Sequence, residues 1–305
     1  MIDNFKVLKY LLGQNQKDAK KIMDFFLDEK YRQVVKTKDY TYAIGDIPIA
    51  LVAHLDTVYP FPAKEIFHDQ EQDVIWSPDG LGADDRAGLF AIIQIVRSGL
   101  KPHIIITTDE EKGGLGAEAL VKAGDCPFKE LKYMIELDRH GKDDCVFYDT
   151  DNPVFTKYIE SFGFKNAFGS FSDISELAPA WKTCAVNLSV GYYDEHSYSE
   201  HLRLQELQVT IDKVCVMLKE EVIPDFEYIE MDYLSFIKCG HCGRYFTEYE
   251  LFPVKVGDGK FVNLCPDCIV GNVGWCYQCS DAFWITDQNN KTLCSDCLKE
   301  VTANV

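Results

Sequence analysis

Residues 83–88 place two acidic side chains, Asp84 and Asp85, where a loop meets an apolar helical run that begins near Ala87. Acidic residues at such a junction can simply cap the helix and interact with its dipole. Adjacent carboxylates can also hold a divalent cation, because such cations take oxygen ligands. Asp84 and Asp85 alone do not decide between the two interpretations.

Other side chains that commonly bind metals recur along the chain where apolar runs end. His54 ends one such run, Glu110 and Glu111 follow a second, and Asp138 ends a third. His196 follows a fourth run by a few residues. Each residue alone has an ordinary explanation, such as a buried histidine or a solvated acidic loop. Their common position favours one shared site, because ligands bind beyond the carboxyl ends of strands in parallel sheets.

The elements that would position these residues alternate between strands and helices. Periodicity predicts helices at residues 3–12, 16–30, 87–96, 117–122, 154–162 and 202–218, and strands at 40–44, 49–53, 103–106, 133–137, 145–148 and 185–190. Residues 59–82 are predicted to form a loop. Such alternation is typical of a mostly parallel sheet covered on both faces. The predicted fold class is therefore α/β, a three-layer α/β/α sandwich around a mostly parallel mixed sheet.

Composition and charge limit the class of function. The net charge of -18 at pH 7 argues against a nucleic-acid partner, because phosphate binding needs a positive surface. No apolar run approaches the roughly 20 residues that a membrane span requires. The first residues also lack the basic and apolar regions of a secretory signal. We therefore expect a cytoplasmic protein with no nucleic-acid and no membrane partner.

Eight of the 12 cysteines fall in Cys-x-x-Cys pairs towards the end of the chain. The pairs are Cys239 and Cys242, Cys265 and Cys268, Cys276 and Cys279, and Cys294 and Cys297. Without a secretion signal they predict two structural zinc sites of four thiolates each. The sites could join the pairs sequentially, first with second and third with fourth, or in a crossed order, and we favour the sequential one. The remaining cysteines are predicted to be small buried hydrophobic residues: Cys126, Cys145, Cys184 and Cys215.

This C-terminal cysteine module is too small to bury much core, so metal binding would supply its folding energy. From residue 236 onward it carries six Lys/Arg and eight Asp/Glu. It therefore lacks the positive footprint of a nucleic-acid binder. The module is either a structural appendage or a docking site for a protein partner or the substrate.

The order of the candidate ligands resembles the co-catalytic zinc exopeptidases, a group that includes peptidase T, the aminoacylase and glutamate carboxypeptidase relatives and the bacterial zinc aminopeptidases. The resemblance spans about residues 40–205 and rests on residues 54–58, 82–88, 109–111, 138 and 196–200. It implies a dinuclear zinc hydrolase that cleaves amide bonds in a peptide or small amide substrate, with an aminopeptidase-like preference.

The resemblance also implies a role for each matching residue. Two catalytic zinc ions would be held by His54, Asp84, Glu111, Asp138 and His196, with Asp84 shared between the ions. Asp56 would orient His54 through its second ring nitrogen. Glu110 would be the general base, because the ligand carboxylates and one hydroxide already balance the charge of two divalent ions.

Two other histidines, His140 and His201, compete with His196 for the last ligand position. Ser197 and Glu200 favour His196 because they match the family's spacing. His201 is predicted to begin the last helix instead.

Residues 170–174 resemble a segment near the substrate pocket of these enzymes, although Ser172 or Asp173 could equally cap a short helix. Many relatives carry a large lid domain, for which neither the stretch from His54 to Asp84 nor the one from Asp138 to His196 has room. We therefore expect an open site and an aminopeptidase or general amidase preference over a carboxypeptidase one.

The predicted domains are a dinuclear metallohydrolase domain at residues 1–225 and a small zinc-stabilised domain at residues 236–300 with two four-cysteine sites. Together they predict four zinc ions, two catalytic and two structural. Two alternatives stay open: a zinc-binding adaptor with a non-catalytic hydrolase-like domain, and a non-peptide amidase or deacylase.

Overall fold

The computed structural model of the protein describes residues 4–231, 236–247, 250–256, 260–270, 272–285 and 292–303. The chain divides into two units, Met1–Met231 and Asp232–Val305. This division falls between the two predicted domains, whose functional assignment stays a prediction. Within the described ranges, no helix combines the length and the apolar character needed to cross a membrane.

Most of the predicted elements of the first unit are present, with ends shifted by a few residues. Its helices are α1 Asn4–Leu12, α2 Gln16–Lys30, α3 Ala83–Arg97, α4 Leu115–Lys122, α5 Pro153–Glu160, α6 Ile174–Trp181 and α7 Leu204–Met217, with a short 3-10 helix at Glu110–Lys112. Its strands are β1 Val34–Lys36, β2 Tyr40–Ala43, β3 Ile47–His54, β4 Phe67–Asp69, β5 Val74–Trp76, β6 Pro102–Thr107, β7 Tyr133–Arg139, β8 Asp144–Val146, β9 Lys165–Asn166, β10 Ala185–Ser189, β11 Tyr192–Tyr193 and β12 His201–Arg203. Asp3, the predicted first residue of α1, lies outside the described residues.

A single eight-stranded sheet in the order β1-β2-β6-β3-β7-β10-β8-β9 organises the first unit. Its four central strands, β6, β3, β7 and β10, run parallel, whereas β2 and β8 pair with them antiparallel. On β3, Leu51 packs into a core with residues of α1, α2, α3 and α7, and its neighbour Val52 packs on the other face with α4 and α6. Both faces are covered, which explains the continuous apolar runs of the strands. The predicted three-layer fold class is confirmed.

Helix α3 lies unusually close to the strand that carries Asp138. A Cβ atom on Gly88 would lie 2.2 Å from the carbonyl oxygen of Leu137 and 2.6 Å from the carboxylate of Asp85. Only glycine permits this approach without a shift of backbone. The first turn of α3 is irregular: Asp84 and Asp85 have non-helical backbone angles, and the peptide bond between them is cis.

The prediction of a loop across residues 59–82 is wrong, because this segment contains a hairpin. Strands β4 and β5 pair antiparallel and join β11 and β12 in a second, four-stranded sheet. The prediction that His201 begins the last helix is also wrong. His201 lies on β12 opposite Trp76, and α7 begins only at Leu204. These strands have two or three residues each, too few for a recognisable alternation of apolar and polar side chains.

The described residues of the second unit form short strands and two helices. They are β13 Phe236–Lys238, β14 Tyr245–Thr247, β15 Phe252–Val256, β16 Lys260–Leu264, β17 Val273–Trp275, β18 Ala282–Trp284, α8 Pro266–Ile269 and α9 Ser295–Ala303. Strands β13 and β14 form a hairpin, and the others form a sheet in the order β16-β15-β18-β17. Its described core consists mainly of cysteines with a few apolar residues such as Val254 and Leu264. So small an apolar core agrees with a fold that needs metal for stability.

Candidate metal centre

The five predicted ligands of the catalytic ions come together around Asp84. The Nε2 atom of His54 lies 3.0 Å from Oδ1 of Asp84 and 3.4 Å from Oδ1 of Asp138. The Nε2 atom of His196 lies 3.1 Å from the other Asp84 oxygen, Oδ2, and 3.1 Å from Glu111. One carboxylate therefore lies between two sets of imidazole and carboxylate groups.

The fold explains why residues so distant in sequence meet. His54 is the last residue of β3, and Asp138 lies near the end of the neighbouring parallel strand β7. Asp84 stands in the irregular first turn of α3, and Glu111 lies in the 3-10 helix that follows β6. His196 lies on the loop between β11 and β12. The carboxyl ends of parallel strands meet at one edge of the sheet, where ligands commonly bind.

The ligand atoms of Asp84, Glu111 and His196 all lie within 4.8 Å of one another. Those of His54, Asp85 and Asp138 are equally close, but Asp85 is already engaged. Its two oxygens accept the N–H groups of His54 at 3.2 Å and of Gly88 at 2.8 Å. Asp85 therefore holds the turn together, which leaves Asp84 as the carboxylate that faces both groups.

The electrostatics of the centre fit bound cations. Burial, together with the charge of Asp84, raises the pKa of Asp138 well above its ordinary value. Hydrogen bonds to Asp84 and Glu111 raise the pKa of His196 to about 11. The buried guanidinium of Arg86 donates to backbone carbonyls, among them Leu55 O at 2.6 Å, and not to these carboxylates. A divalent cation would favour the ionised carboxylates and the neutral imidazoles, and imidazole nitrogen with carboxylate oxygen is a donor set that zinc accepts.

Asp56 connects a proposed ligand with the proposed base. Its Oδ1 lies 3.3 Å from Nδ1 of His54. The same carboxylate accepts the backbone N–H groups of Glu110 at 3.0 Å and of Glu111 at 3.1 Å. The Glu110 carboxylate lies 4.0 Å from Nε2 of His54, and the ligand atoms of His54, Glu110 and Glu111 also lie within 4.8 Å of one another. Burial raises the pKa of Glu110 to about 8.

Glu200 has a structural role that the sequence did not reveal. This buried carboxylate accepts the N–H groups of Gly82 at 2.6 Å and of Asp84 at 3.0 Å. Glu200 therefore fixes the backbone on which Asp84 is carried. In the sequence Glu200 served only as a spacing marker for His196, because its partners are more than a hundred residues away.

A buried polar network lies beneath Asp138. The hydroxyl of Ser172 donates to Glu136 and lies 3.4 Å from Oδ2 of Asp138. Asp173 accepts a hydrogen bond from the hydroxyl of Thr107. Neither Ser172 nor Asp173 caps α6 through its side chain, so the capping interpretation is wrong. Burial raises the pKa of Glu136 well above its usual range and that of Asp173 to about 7.

Glu136 was missed although the sequence carries a signal for it. A glutamate in the middle of an otherwise apolar strand must lie buried or break the pattern, and a buried charge is costly without partners. Residues 133–137 therefore pointed to a functional or paired carboxylate that we did not name.

His140 and His201, the two alternatives to His196 as the last ligand, contact other carboxylates. Nδ1 of His140 lies 2.5 Å from Oε1 of Glu195, and Nδ1 of His201 lies 3.7 Å from Oδ2 of Asp194. In the described part of the chain, His196 joins a group of potential metal ligands and these two do not.

The eight paired cysteines of the second unit gather in two groups, each with its sulfur atoms within 4.8 Å of one another. One group is Cys239, Cys242, Cys265 and Cys268, and the other is Cys276, Cys279, Cys294 and Cys297. This is the sequential arrangement, with all eight thiols free of disulfide bonds. Although burial opposes it, backbone N–H groups lower the pKa of Cys239 and of Cys276 to about 6. Thiolates with such surroundings are suited to zinc.

The four scattered cysteines vary in exposure. Cys145 and Cys184 are buried, whereas Cys126 and Cys215 are half-buried.

Comparison with known proteins shows that the first unit is similar to peptidases. Residues 34–176 match the family model of peptidase family M28. No curated protein sequence matches the chain significantly.

Solved structures share the fold at low identity. Aminopeptidase PepT from Bacillus cereus ATCC 10987 is 15% identical with a TM-score of 0.57, covering 70% of this chain and 96% of that chain. A tripeptidase from Staphylococcus aureus subsp. aureus Mu50 is 13% identical with a TM-score of 0.59, covering 71% and 97%. The TET aminopeptidase from a marine-sediment Thaumarchaeota archaeon is 13% identical with a TM-score of 0.58, covering 72% and 97%.

The fold, the candidate centre and the family match together define a metallopeptidase, an enzyme that hydrolyses peptide bonds. The resemblance predicted from the sequence is confirmed. Within that class, the match is to peptidase family M28, over residues 34–176.

Proposed function

We propose that the first unit is a dinuclear zinc aminopeptidase. The observation that carries the proposal is the position of Asp84, whose two oxygens lie 3.0 Å from His54 Nε2 and 3.1 Å from His196 Nε2. A carboxylate between two imidazoles is the arrangement that two neighbouring cations require of a shared ligand. His54, Asp84 and Asp138 would hold one ion, and Asp84, Glu111 and His196 the other. Such a pair, when bound, polarises the substrate carbonyl and lowers the pKa of a shared water.

Glu110 is the group we assign to proton transfer. Its backbone is fixed by Asp56, and its carboxylate lies 4.0 Å from His54 Nε2, next to the proposed ligands. In its ionised form the carboxylate would accept a proton from the attacking water. It can then return that proton to the amine that leaves.

An open site supports an aminopeptidase preference. The chain between Asp138 and His196 forms β8, α5, β9, α6 and β10, which belong to the sandwich itself. The stretch before Asp84 forms the hairpin of β4 and β5. Neither stretch supplies a lid domain that could bind a substrate carboxylate. We therefore propose peptides with a free amino terminus as substrates.

The second unit supports a total of four zinc ions, two in the centre and two in the cysteine groups. We propose that its zinc sites stabilise a docking surface for a protein partner. Paired free thiols of this kind favour a reducing, cytoplasmic compartment.

The variant Glu110→Gln tests the proposed function. It keeps the shape of the side chain and removes the proton acceptor, so we expect kcat to fall by about 10²- to 10⁴-fold with the zinc content unchanged. Glu118→Gln, an exposed glutamate on α4 paired with Lys122, is the matched control and should keep full activity. Hydrolysis of aminoacyl p-nitroanilides and metal analysis are the measurements.

The same substrates separate the alternatives. Full activity of Glu110→Gln would contradict the assigned role. Cleavage of N-acyl amino acids in preference to aminoacyl substrates would instead indicate a deacylase. A wild-type protein that holds its zinc and cleaves neither kind would be the adaptor.

A further inference from the structure

We propose that Glu195, oriented by His140, is the subsite that binds the free α-ammonium group of the substrate. This inference rests on the proposed aminopeptidase function and names the residue that would recognise the substrate's first residue. Neither side chain belongs to the groups around Asp84, and the mechanism above uses neither.

Each member of the pair lies close in the sequence to a proposed ligand of the centre. Nδ1 of His140 lies 2.5 Å from Oε1 of Glu195, a contact across 55 positions of the chain. His140 follows the proposed ligand Asp138 by two residues, and Glu195 directly precedes the proposed ligand His196. A cation held by Glu195 would therefore lie beside the reacting carbonyl.

The loop that carries His140 is fixed independently of Glu195. The hydroxyl of Ser189 donates to the carbonyl of His140 at 2.5 Å, and Gly141 N–H donates to the carbonyl of Tyr192 at 2.8 Å. The hydroxyl of Tyr192 in turn donates to Asp138 at 3.1 Å. These bonds already join the two loops, so the contact between His140 and Glu195 is not needed to hold them. The contact with His140 instead fixes the orientation of the Glu195 carboxylate.

The chemistry of the pair suits an ammonium group. His140 engages one oxygen of Glu195, while the Glu195 side chain stays 29% exposed and within reach of a ligand. An ammonium offers three N–H donors and a positive charge, so its hydrogen bond to a carboxylate is charge-assisted. The ligand carboxylates would be neutralised by two divalent ions, but Glu195 would not. It therefore supplies a carboxylate near the centre that is not a proposed metal ligand.

The neighbouring Asp194 offers a matched control. It carries the same charge one residue earlier, but its side chain is 63% exposed and its closest described partner is His201 at 3.7 Å. Removal of the Asp194 charge changes the electrostatic potential around this loop almost as much as removal of the Glu195 charge does. Only Glu195 has the partner that would fix it for recognition.

The experiment compares Glu195→Gln and Asp194→Asn in the zinc-loaded full chain. The substrate is L-leucine p-nitroanilide, and 4-methylpentanoic acid p-nitroanilide is the same molecule without the ammonium group. We expect Glu195→Gln to raise KM for the leucine substrate by about 10- to 100-fold, with a smaller change in kcat. The analogue without the ammonium should be unaffected. Asp194→Asn should stay within about threefold of wild type for both substrates, and the zinc content of both variants should be normal.

Equilibrium binding gives a second measurement that needs no hydrolysis. We expect L-leucine amide to bind the wild type about 10- to 100-fold more tightly than it binds Glu195→Gln, whereas 4-methylpentanamide binds both alike. Equal affinity of L-leucine amide for the two proteins would overturn the subsite, even if the wild type is an active aminopeptidase. The subsite is also overturned if Glu195→Gln loses zinc or weakens both ligands equally, since that is the behaviour of a structural contact. Absence of hydrolysis by the wild type, with the binding difference intact, would instead count against the catalytic proposal alone.

Discussion

Burial controls the charge of single side chains in this protein even away from the metal centre, and His103 is a testable case. His103 lies on β6 and is buried, with its ring stacked on Phe128 at a centroid distance of 4.3 Å. Its Nδ1 accepts the N–H of Gly45 at 3.1 Å, which requires an unprotonated nitrogen. Burial lowers the pKa of His103 to about 4 from an ordinary value of 6.5.

This shift predicts a loss of stability in acid. Between pH 6.5 and about 4, the unfolded chain protonates His103 and the folded chain does not, so protonation favours unfolding. From pH 7 to pH 5 the free energy of unfolding should fall in both proteins, but less in His103→Gln than in the wild type. The difference between the two declines should be about 1 kcal/mol after allowance for solvent screening. Urea unfolding at the two pH values measures it. His68→Gln, a half-buried histidine paired with Asp73, is the control, and an identical decline in wild type and His103→Gln would refute the assignment.

At the scale of single residues, the sequence predicted those that stand at the ends of apolar runs. His54 and Asp138 could be named because each follows a strand whose pattern is clear. Glu200 could not, since it acts on the backbone of Asp84 across the fold and no local pattern records such a contact. The partner of Asp173 could not be named either, because Asp173 directly precedes α6 and its partner Thr107 lies at the end of β6, far away in the sequence.

At the scale of elements, the approach of α3 to β7 decides the geometry of the centre. Gly88→Ala would place a Cβ 2.2 Å from the carbonyl of Leu137, so the helix or the strand must move. We expect a loss of about 2 kcal/mol in the free energy of unfolding, because overpacking exceeds the gain in helix propensity. We also expect weaker metal binding, since Asp85 and Asp138 adjoin the contact.

Gly13→Ala is the matched control for this prediction. A Cβ at Gly13 would meet no atom closer than 3.6 Å, which is an ordinary contact. The change should alter stability by less than about 0.5 kcal/mol. Equal stability of the Gly88 and Gly13 variants in denaturant unfolding would show that the close approach is not required.

The elements differ in how well the sequence predicted them. The central strands β3, β6 and β7 were predictable because both of their faces are buried and their apolar runs are continuous. The hairpin of β4 and β5 was not, because its strands have only three residues each and half of those residues are exposed, so the segment resembles a loop. Strand β12, equally short, was missed as well, which moved His201 from a strand to a helix. The ligand set was unchanged because His196 precedes β12.

At the scale of the whole molecule, we propose that the protein combines two different uses of metal. In the second unit, two groups of four thiols would replace the apolar core that so few residues cannot build. In the first unit, a large apolar sandwich is stable enough to hold buried carboxylates near one another at the edge of its sheet. The sequence predicted both uses, because Cys-x-x-Cys spacing and the ends of strands are local features. It did not predict which buried carboxylates, such as Glu136, support the centre from below.

The metal content per chain of the wild type and of His196→Ala shows whether the residues around Asp84 hold cations. The His196 imidazole is half exposed, so its removal should spare the fold while it takes a ligand from one of the two ions. Elemental analysis should find about four zinc ions in the wild type and about three in His196→Ala, with the cysteine groups filled in both. About two ions in both proteins would contradict the account, because the residues around Asp84 would then hold no metal.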